Sequence, residues 1–266
     1  MKEIDIDELK HLQLEMLKKI DSFCNENKIK YFLTAGTLIG AVRHGGYIPW
    51  DDDIDIMMLR SDYDKFLQLF NGKIENLVVD APELNWNYYA PYANVYDNRT
   101  LLEEGAYNGH RGQEIGVKID VFPFDILPDS ELLYTITRRL VRFLNKIMAA
   151  KRNVQPFYKM RIKTIFVRLF FCWLPFSTIQ KIIRFIATSN TKNTDGDIFL
   201  RTFDITEPMR ARKEVFASTK MLKFEDYSFP VPVEYDEYLK IRFGDYMKLP
   251  PVEKRVAEHN FKAYWK

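Results

Sequence analysis

AGTLIGAVRHGGYIPWDDDIDIMM, residues Ala35 to Met58, is the stretch whose reading decides the fold. Its tail is the densest acidic cluster in the protein, with Asp51, Asp52, Asp53 and Asp55 inside five positions. Polar and apolar residues alternate from Asp53 to Ile56, the period of a half-buried strand. Such a strand turns Asp53 and Asp55 to one face and Ile54 and Ile56 to the core. Two carboxylates about 5 Å apart repel by roughly 3 kcal/mol at an effective dielectric near 20. A fold keeps such a pair most readily with a cation between them, and all-oxygen donors select Mg²⁺, Mn²⁺ or Ca²⁺. The front half suits a phosphate. Gly36-Thr37 follows the apolar run Tyr31-Phe32-Leu33, and Thr37 is placed to cap a helix over Leu38 to Val42, leaving N–H groups and a hydroxyl for an anion. Arg43 and His44 follow as cationic or donor groups, and Gly45-Gly46 turns toward Pro49-Trp50. Strand, Gly-Thr helix start and Asp-x-Asp strand together make a phosphoryl-transfer layout. The bland alternative is an acidic surface turn beside an ordinary helix cap.

GTLIGAVRH (Gly36 to His44) followed by PWDDDID (Pro49 to Asp55) closely resembles the signature of the LicD-type phosphocholine transferases. That family lies in the nucleotidyltransferase-fold superfamily and includes the fukutin relatives. The superfamily pattern is Gly-Ser/Thr, a spacer, Asp-x-Asp and a third acid on a later strand; Asp120 in KIDVFP (Lys118 to Pro123) fits the third element. FGDYM (Phe243 to Met247), continuing through Leu249-Pro250-Pro251 to Arg255 and His259, resembles the family's C-terminal motif. The likeness runs from about residue 7 to 260 and is weakest between 130 and 200.

The resemblance implies an α+β fold: a nucleotidyltransferase-like mixed sheet core over residues 1–129, and a mainly helical basic region with the C-terminal motif, 130–266, on top of it. It implies a phosphotransferase that moves phosphocholine from CDP-choline to a hydroxyl of a lipid-linked cell-surface glycan precursor, releasing CMP. Teichoic acid and lipopolysaccharide both qualify as the glycan. Asp53, Asp55 and Asp120 are the expected ligands of one or two Mg²⁺ ions, with Mn²⁺ able to substitute. Asp120 or Asp51 is the candidate base for the acceptor hydroxyl. Gly36, Thr37 and Arg43 are expected on phosphate oxygens. By motif position His44, Arg255 and His259 belong to the substrate site, the last two on one face of a predicted helix. Choline's quaternary ammonium calls for aromatic faces, and Trp50 abuts the acids, with Tyr47, Trp86, Tyr88, Tyr89 and Tyr92 near in sequence. The rivals are polyol-phosphate or nucleotidyl transfer on the same acids, and a non-catalytic membrane-docking scaffold.

Other readings fail on spacing. An EF-hand loop started at Asp51 would need Gly at Ile56 and Glu at Asp62. The two cysteines, Cys24 and Cys172, lie in apolar helical patterns with no Cys–His spacing for zinc, as in a reducing compartment. MKEIDIDELK at the N-terminus is no secretory leader, and no run of about 20 apolar residues offers a bilayer span. A cytoplasmic protein, or one peripheral on the inner face of the membrane, is expected, unlike the anchored Golgi relatives.

The net charge of +2 conceals an asymmetry: no acid occurs from Leu132 to Thr194, while thirteen Lys and Arg do, leaving −11 on the rest. Aromatics interleave with these basic residues but no nucleic-acid recognition motif accompanies them, so nucleic acid is not an expected partner. The run from Ile162 to Phe176 has the Trp and Phe content of an interfacial helix on an anionic membrane, or equally of a helix packed inside the protein. The periodicities further predict a helix over Asp7 to Asn27 capped by Asp5 or Asp7, and one opened by Ser61 and ending near Asn71-Gly72. They predict short strands at Tyr31–Thr34, Leu77–Asp80, Thr100–Glu103 and Lys118–Phe122, and an edge strand within Tyr88–Tyr96. A mobile loop is expected over Gly105 to Gly116, helices over 131–150, 157–174, 176–190 and 235–242, and an extended edge segment over Phe224–Val233.

Overall fold

The structure is a computed structural model that describes residues 1–86, 88, 90–104, 115–126, 128, 130–152, 162–171, 173–189, 198–200, 211–257 and 261–266. His259, Tyr89, Cys172 and positions 105–114 of the glycine-containing loop lie outside the described residues. In chain order the elements are β1 (Lys2–Ile4), α1 (Ile6–Glu26), β2 (Phe32–Leu33), α2 (Ala35–Arg43), β3 (Asp55–Leu59), α3 (Arg60–Phe70), β4 (Leu77–Asp80), β5 (Ala93–Asp97), β6 (Thr100–Glu104) and β7 (Lys118–Ile126). Then follow α4 (Glu131–Arg152), α5 (Ile162–Phe170), α6 (Phe176–Thr188), β8 (Ile198–Leu200), β9 (Ala211–Arg212), β10 (Thr219–Phe224), β11 (Tyr227–Pro232), α7 (Tyr235–Phe243) and β12 (Phe261–Trp265). This is the expected α+β class.

The central sheet runs β2-β3-β7-β5-β4, with β3 and β7 parallel and the other pairings antiparallel. In β3 Ile56, Met57 and Met58 are all buried. Successive side chains point to opposite faces, so both faces of this strand are covered and the simple alternation of the sequence is lost. β5 is an inner strand rather than the expected edge, because Pro91 lies before its first residue and leaves Ala93–Asp97 able to donate on both sides. β7 continues through Pro123 to Ile126. The proline is tolerated because β5 pairs with β7 only up to Val121 and β8 joins only at Asp125. β12 inserts between β1 and β6, so the two ends of the chain share a three-stranded sheet.

Asp5 caps α1 by accepting the Glu8 N–H at 2.8 Å. Helix α3 starts at Arg60 with Leu59 as its cap residue, not at Ser61, because Arg60 is drawn inward to a buried fork on Asp125, with N–O distances of 2.6 and 2.8 Å. Arg184 of α6 reaches Asp64 and Glu83, and Glu83 also bonds Arg60. This ion network locks α3 and α6 onto the end of β7. The segment over Phe224–Val233 is a hairpin strand, paired to β10 from Thr219↔Pro232 to Phe224↔Tyr227. In this two-stranded sheet it is an edge strand, as expected. One continuous hydrophobic cluster takes in residues from Ile4 to Ala263, including Tyr134, Ile147 and Ile179 from the helical region. The thiol of Cys24 lies in it, its pKa pushed up by burial.

Candidate active site

The register of the central sheet builds the first part of the site. Asp55 of β3 stands opposite Asp120 of β7, and Asp120 stands opposite Asn94 of β5. Directly paired residues share a face, so two acids and an amide form a row across three strands. Asn94 Nδ2 donates to Asp120 Oδ1 at 2.5 Å, and Lys118 Nζ reaches the same oxygen at 2.6 Å. The Tyr88 hydroxyl in turn donates to Asn94 Oδ1. Both donors fall on one oxygen of Asp120, which leaves Oδ2 without a further partner among the described residues. The Asp120 N–H bonds the Ile54 carbonyl at 3.0 Å, fixing the acid's height against the neighbouring loop.

Strand β3 begins at Asp55, so Asp53 is not on the pleat that the sequence suggested. It belongs instead to the preceding loop, where carboxylate oxygens of Asp51, Asp52 and Asp53 lie within 4.8 Å of one another. The four acids thus form a loop trio and a strand member, and the register pairs Asp120 with the strand member, Asp55. Helix α1 holds the loop. Gln13, buried in its inner face, donates to the carbonyls of Asp52 at 3.2 Å and Lys118 at 3.3 Å, and accepts from the Tyr47 hydroxyl at 3.2 Å. The Tyr47 phenol is held well above its usual pKa by burial, then by Glu225, Asp53 and Asp51.

The sequence names Thr37 as the cap of α2, but the helix opens three residues earlier than that implies and Thr34 is its cap residue. The Thr34 hydroxyl is hydrogen-bonded to the Tyr238 hydroxyl of α7 at 2.6 Å and makes no cap bond. Thr37 is buried in the first turn, and its Oγ1 accepts the Asp55 N–H at 2.8 Å. That contact ties the Gly-Thr motif to the acidic strand. Ala35 enters the helix with φ 49°, a left-handed conformation that costs a non-glycine residue roughly 1–2 kcal/mol. Gly36 lets Asp51 approach closely, since a Cβ would stand 2.5 Å from Asp51 Oδ2 and push that carboxylate aside. The start of α2 is therefore in contact with a carboxylate, which its dipole favours.

Arg43, in the last turn of α2, belongs to a cationic group. Arg43 donates through Nη1 to the Tyr246 carbonyl at 2.7 Å and through Nε to His44 Nε2 at 2.9 Å. The His44 and Trp50 rings meet edge to face at 6.4 Å, and the Arg255 guanidinium lies over the Trp50 ring at 5.7 Å. Burial and then the charge of Arg255 lower the pKa of Arg43, and burial and then Arg43 lower that of His44. Two guanidiniums close enough to perturb one another form a pocket edge suited to an anion. Tyr246 belongs to the C-terminal motif, so the fold brings that motif onto Arg43, about 200 residues away in sequence. Arg255, however, is not on a helix: Val252–Lys254 is a single 3₁₀ turn, which Arg255 ends while donating to the Pro250 carbonyl at 2.9 Å.

The structure thus gathers Arg43, His44, Trp50 and Arg255, and separately Gly36, Thr37, Asp51, Asp53, Asp55 and Asp120. Gln13, Asn94 and Lys118 were not legible as site residues, and Tyr88, named for an aromatic face, contributes its hydroxyl to Asn94 instead. A glutamine inside an apolar helical stripe was the one available signal. Every ligand in the acid group is a hard oxygen, and Asp120 has an oxygen in reserve, so the residues fit a divalent cation such as Mg²⁺.

A mixed sheet that aligns Asp55 with Asp120 and ties Asp55 to a Gly-Thr helix start fits the expected class, a nucleotidyltransferase-type phosphotransferase. Residues 28–169 match the LicD/FKTN/FKRP nucleotidyltransferase domain family, and the chain belongs to that family. It is 29% identical over 269 residues to the lipopolysaccharide cholinephosphotransferase LicD of Haemophilus influenzae, covering 99% of both chains. It also shares 43% identity over 133 residues with an uncharacterized protein of Rickettsia typhi, covering 50% of this chain and 40% of that one. A 58-residue stretch is 40% identical to the human ribitol 5-phosphate transferase FKRP, covering 22% of this chain and 12% of that one.

Proposed function

We propose that the chain transfers phosphocholine from CDP-choline to a hydroxyl of a cell-surface glycan precursor, with CMP as the second product. The observation that best supports this is the Asp55–Asp120 register pair, tied through Thr37 to the start of the helix whose last turn carries Arg43, with Arg255 and Trp50 beside it. The acids suit the metal-bound face of a diphosphate and the arginines its free oxygens. Arg43 and Arg255 hold the donor's phosphates, with the backbone N–H groups at Gly36 and Thr37. Thr37 Oγ1 already accepts from Asp55, so its own proton is the one to donate. The Trp50 ring, on the face away from Arg255, takes the trimethylammonium.

Asp53, Asp55 and Asp120 are the ligands we assign to one or two Mg²⁺ or Mn²⁺ ions. When bound, the metal neutralises charge on the diphosphate and lowers the pKa of the acceptor hydroxyl. The acceptor proton goes to Asp120 or Asp51, and the alkoxide oxygen forms a bond to the choline-bearing phosphorus. The bond from that phosphorus to the bridging oxygen breaks, and CMP leaves with the electron pair. Asn94 and Lys118 hold the Asp120 carboxylate in place. On this reading the acceptor is a lipid-linked glycan, of lipopolysaccharide or teichoic-acid type, and the chain works at the cytoplasmic face of an anionic membrane.

The local likeness to a ribitol 5-phosphate transferase supports a second reading, transfer of a polyol phosphate from its CDP-linked donor on the same acids. A single experiment separates the two. The protein is incubated with Mg²⁺ and CDP-choline, CDP-ribitol or CDP-glycerol, with and without a glycan acceptor, and CMP is followed. Acceptor-dependent CMP from CDP-choline alone is expected. CMP from the polyol donors alone would replace the first reading by the second, and none from any donor would remove both.

A further inference from the structure

Helices α4 and α5 turn an apolar stripe outward as well as inward. On the inner side Val141, Leu144, Ile147 and Met148 of α4 are core residues. On the outer side Leu132, Ile136, Leu140 and Phe143 are exposed, spaced by four, four and three positions, which places them on one face. Helix α5 repeats the pattern with Ile162, Phe166, Leu169 and Phe170, and Trp173 follows it. Phe166, Phe170 and Trp173 are each 70% exposed or more. The two stripes are continuous at one end, where Phe143 meets Phe171 at 5.3 Å and Phe171 meets Phe170 at 5.4 Å. A soluble monomer rarely exposes so many large apolar groups on adjoining helices.

Beyond Glu131 in its first turn, the charges of α4 are all basic. Arg139, Arg142 and Lys146 are exposed on α4. Arg139 is three residues from Ile136 and four from Phe143, and Lys146 is three from Phe143, so both run along one edge of the stripe. From Leu132 to Thr194 the sequence carries no acid. A second copy of the chain docked here by a two-fold axis would lay the same basic edge against itself. Anionic lipid supplies the complementary charge. No helix among the described residues is long and apolar enough to cross a membrane, so the contact is interfacial.

We propose that the α4–α5 face seats the enzyme on an anionic lipid surface. Phe143, Phe166, Phe170 and Trp173 enter the headgroup boundary, and Arg139, Arg142 and Lys146 lie over lipid phosphates. This deepens the proposed function and rests on it for the lipid-borne acceptor, though vesicle binding itself does not. The face is tied to the site. Helix α6 packs on both α4 and β7, and its Gln180 donates to the carbonyls of Tyr88 at 3.2 Å and Ala90 at 2.9 Å. Tyr88 bonds Asn94, which holds Asp120. Seating the helices therefore fixes the orientation of the acid row to the bilayer.

The test is co-sedimentation of the full chain with vesicles of phosphatidylcholine alone and of phosphatidylcholine with phosphatidylglycerol, at low and high salt. Binding only to the anionic vesicles, weakened by salt, is expected. Arg139→Gln/Arg142→Gln/Lys146→Gln should lower the partition by about 100-fold, at roughly fivefold per basic group near the surface. Phe166→Ser/Phe170→Ser should abolish binding at low salt with an unchanged melting temperature, because both side chains are already exposed. Equal binding to neutral vesicles overturns the proposal, and so does a dimer that the serine variant dissociates while no vesicle is bound. A CMP-release assay on a soluble glycan acceptor runs alongside. The glutamine variant should keep that activity while losing transfer to a vesicle-borne acceptor. If no variant or wild type releases CMP, the functional reading fails while the vesicle result still decides the docking.

Discussion

Replacing Asp120 by Asn tests the acid row with least disturbance to the fold. The amide matches the carboxylate in shape, and its oxygen can keep the contacts now made to Oδ1 by Asn94 Nδ2 at 2.5 Å and Lys118 Nζ at 2.6 Å. Two charge effects oppose each other. Asp55 is the directly paired neighbour on β3, and strands lie about 4.8 Å apart, so removing the Asp55–Asp120 repulsion returns roughly 3 kcal/mol at an effective dielectric near 20. Losing the largely buried ion pair with Lys118 costs a similar amount. The net change in stability without metal should stay within about 1 kcal/mol, a shift of roughly 2–4 °C in a protein of this size. Function should respond quite differently, because the amide nitrogen replaces the oxygen that we assign to the cation. Saturating Mg²⁺ should raise the melting temperature of the wild type through linkage and leave that of Asp120→Asn almost unmoved. Release of CMP from CDP-choline should fall by about 10³-fold or more, the several kcal/mol of charge stabilisation that the metal supplies. A variant within about tenfold of wild-type turnover, or with an undiminished Mg²⁺ response, would refute the assignment of Asp120. An unfolded variant would refute the charge balance.

Trp50→Ala should weaken CDP-choline by roughly 1–2 kcal/mol more than it weakens CMP, measured by titration calorimetry; equal losses would move the ammonium site elsewhere. Gly36→Ala sets a Cβ 2.5 Å from Asp51 Oδ2, so the carboxylate must swing away from the start of α2. Because that neighbour is the end of a flexible side chain, the melting temperature should change little while kcat/KM falls; unchanged kcat/KM would separate Asp51 from the site. His44 has a pKa below its usual 6.5 through burial and the Arg43 charge, so the folded state binds fewer protons there than the unfolded state. This contribution to stability is therefore lost as pH falls below about 6.5. His44→Gln should flatten the melting curve between pH 7 and 5, and an unaltered slope would assign the loss to another group. Arg60→Leu strands the buried Asp125 carboxylate and should cost about 3–5 kcal/mol in denaturant unfolding, with a cost below about 1 kcal/mol speaking against the fork.

The sequence by itself determined the elements with strong local signals and the residue types of the site. The helix over Ile6–Glu26 and its Asp5 cap, the strand Leu77–Asp80, and the Gly-Thr and Asp-x-Asp motifs are encoded by neighbours a few positions apart. Elements whose ends depend on distant partners were less legible. Thr37 reads as a cap, but Asp55 claims its oxygen; Ser61 reads as a cap, but the Asp125 fork draws Arg60 into the first turn. Tertiary structure alone decided that Asp55, Asp120 and Asn94 stand in one row, because strand register is fixed by pairing across 26 to 65 residues of chain. It alone brought Tyr246 to Arg43 and set Gln13 beneath the acidic loop. The helices at 131–188 make the same point. Their periodicity marks two apolar faces, and a pattern of residues cannot say which face a core will cover. The fold covers Val141, Ile147 and Ile179 and leaves Phe166, Phe170 and Trp173 outside, because burial depends on what lies opposite a helix face as well as on what it carries.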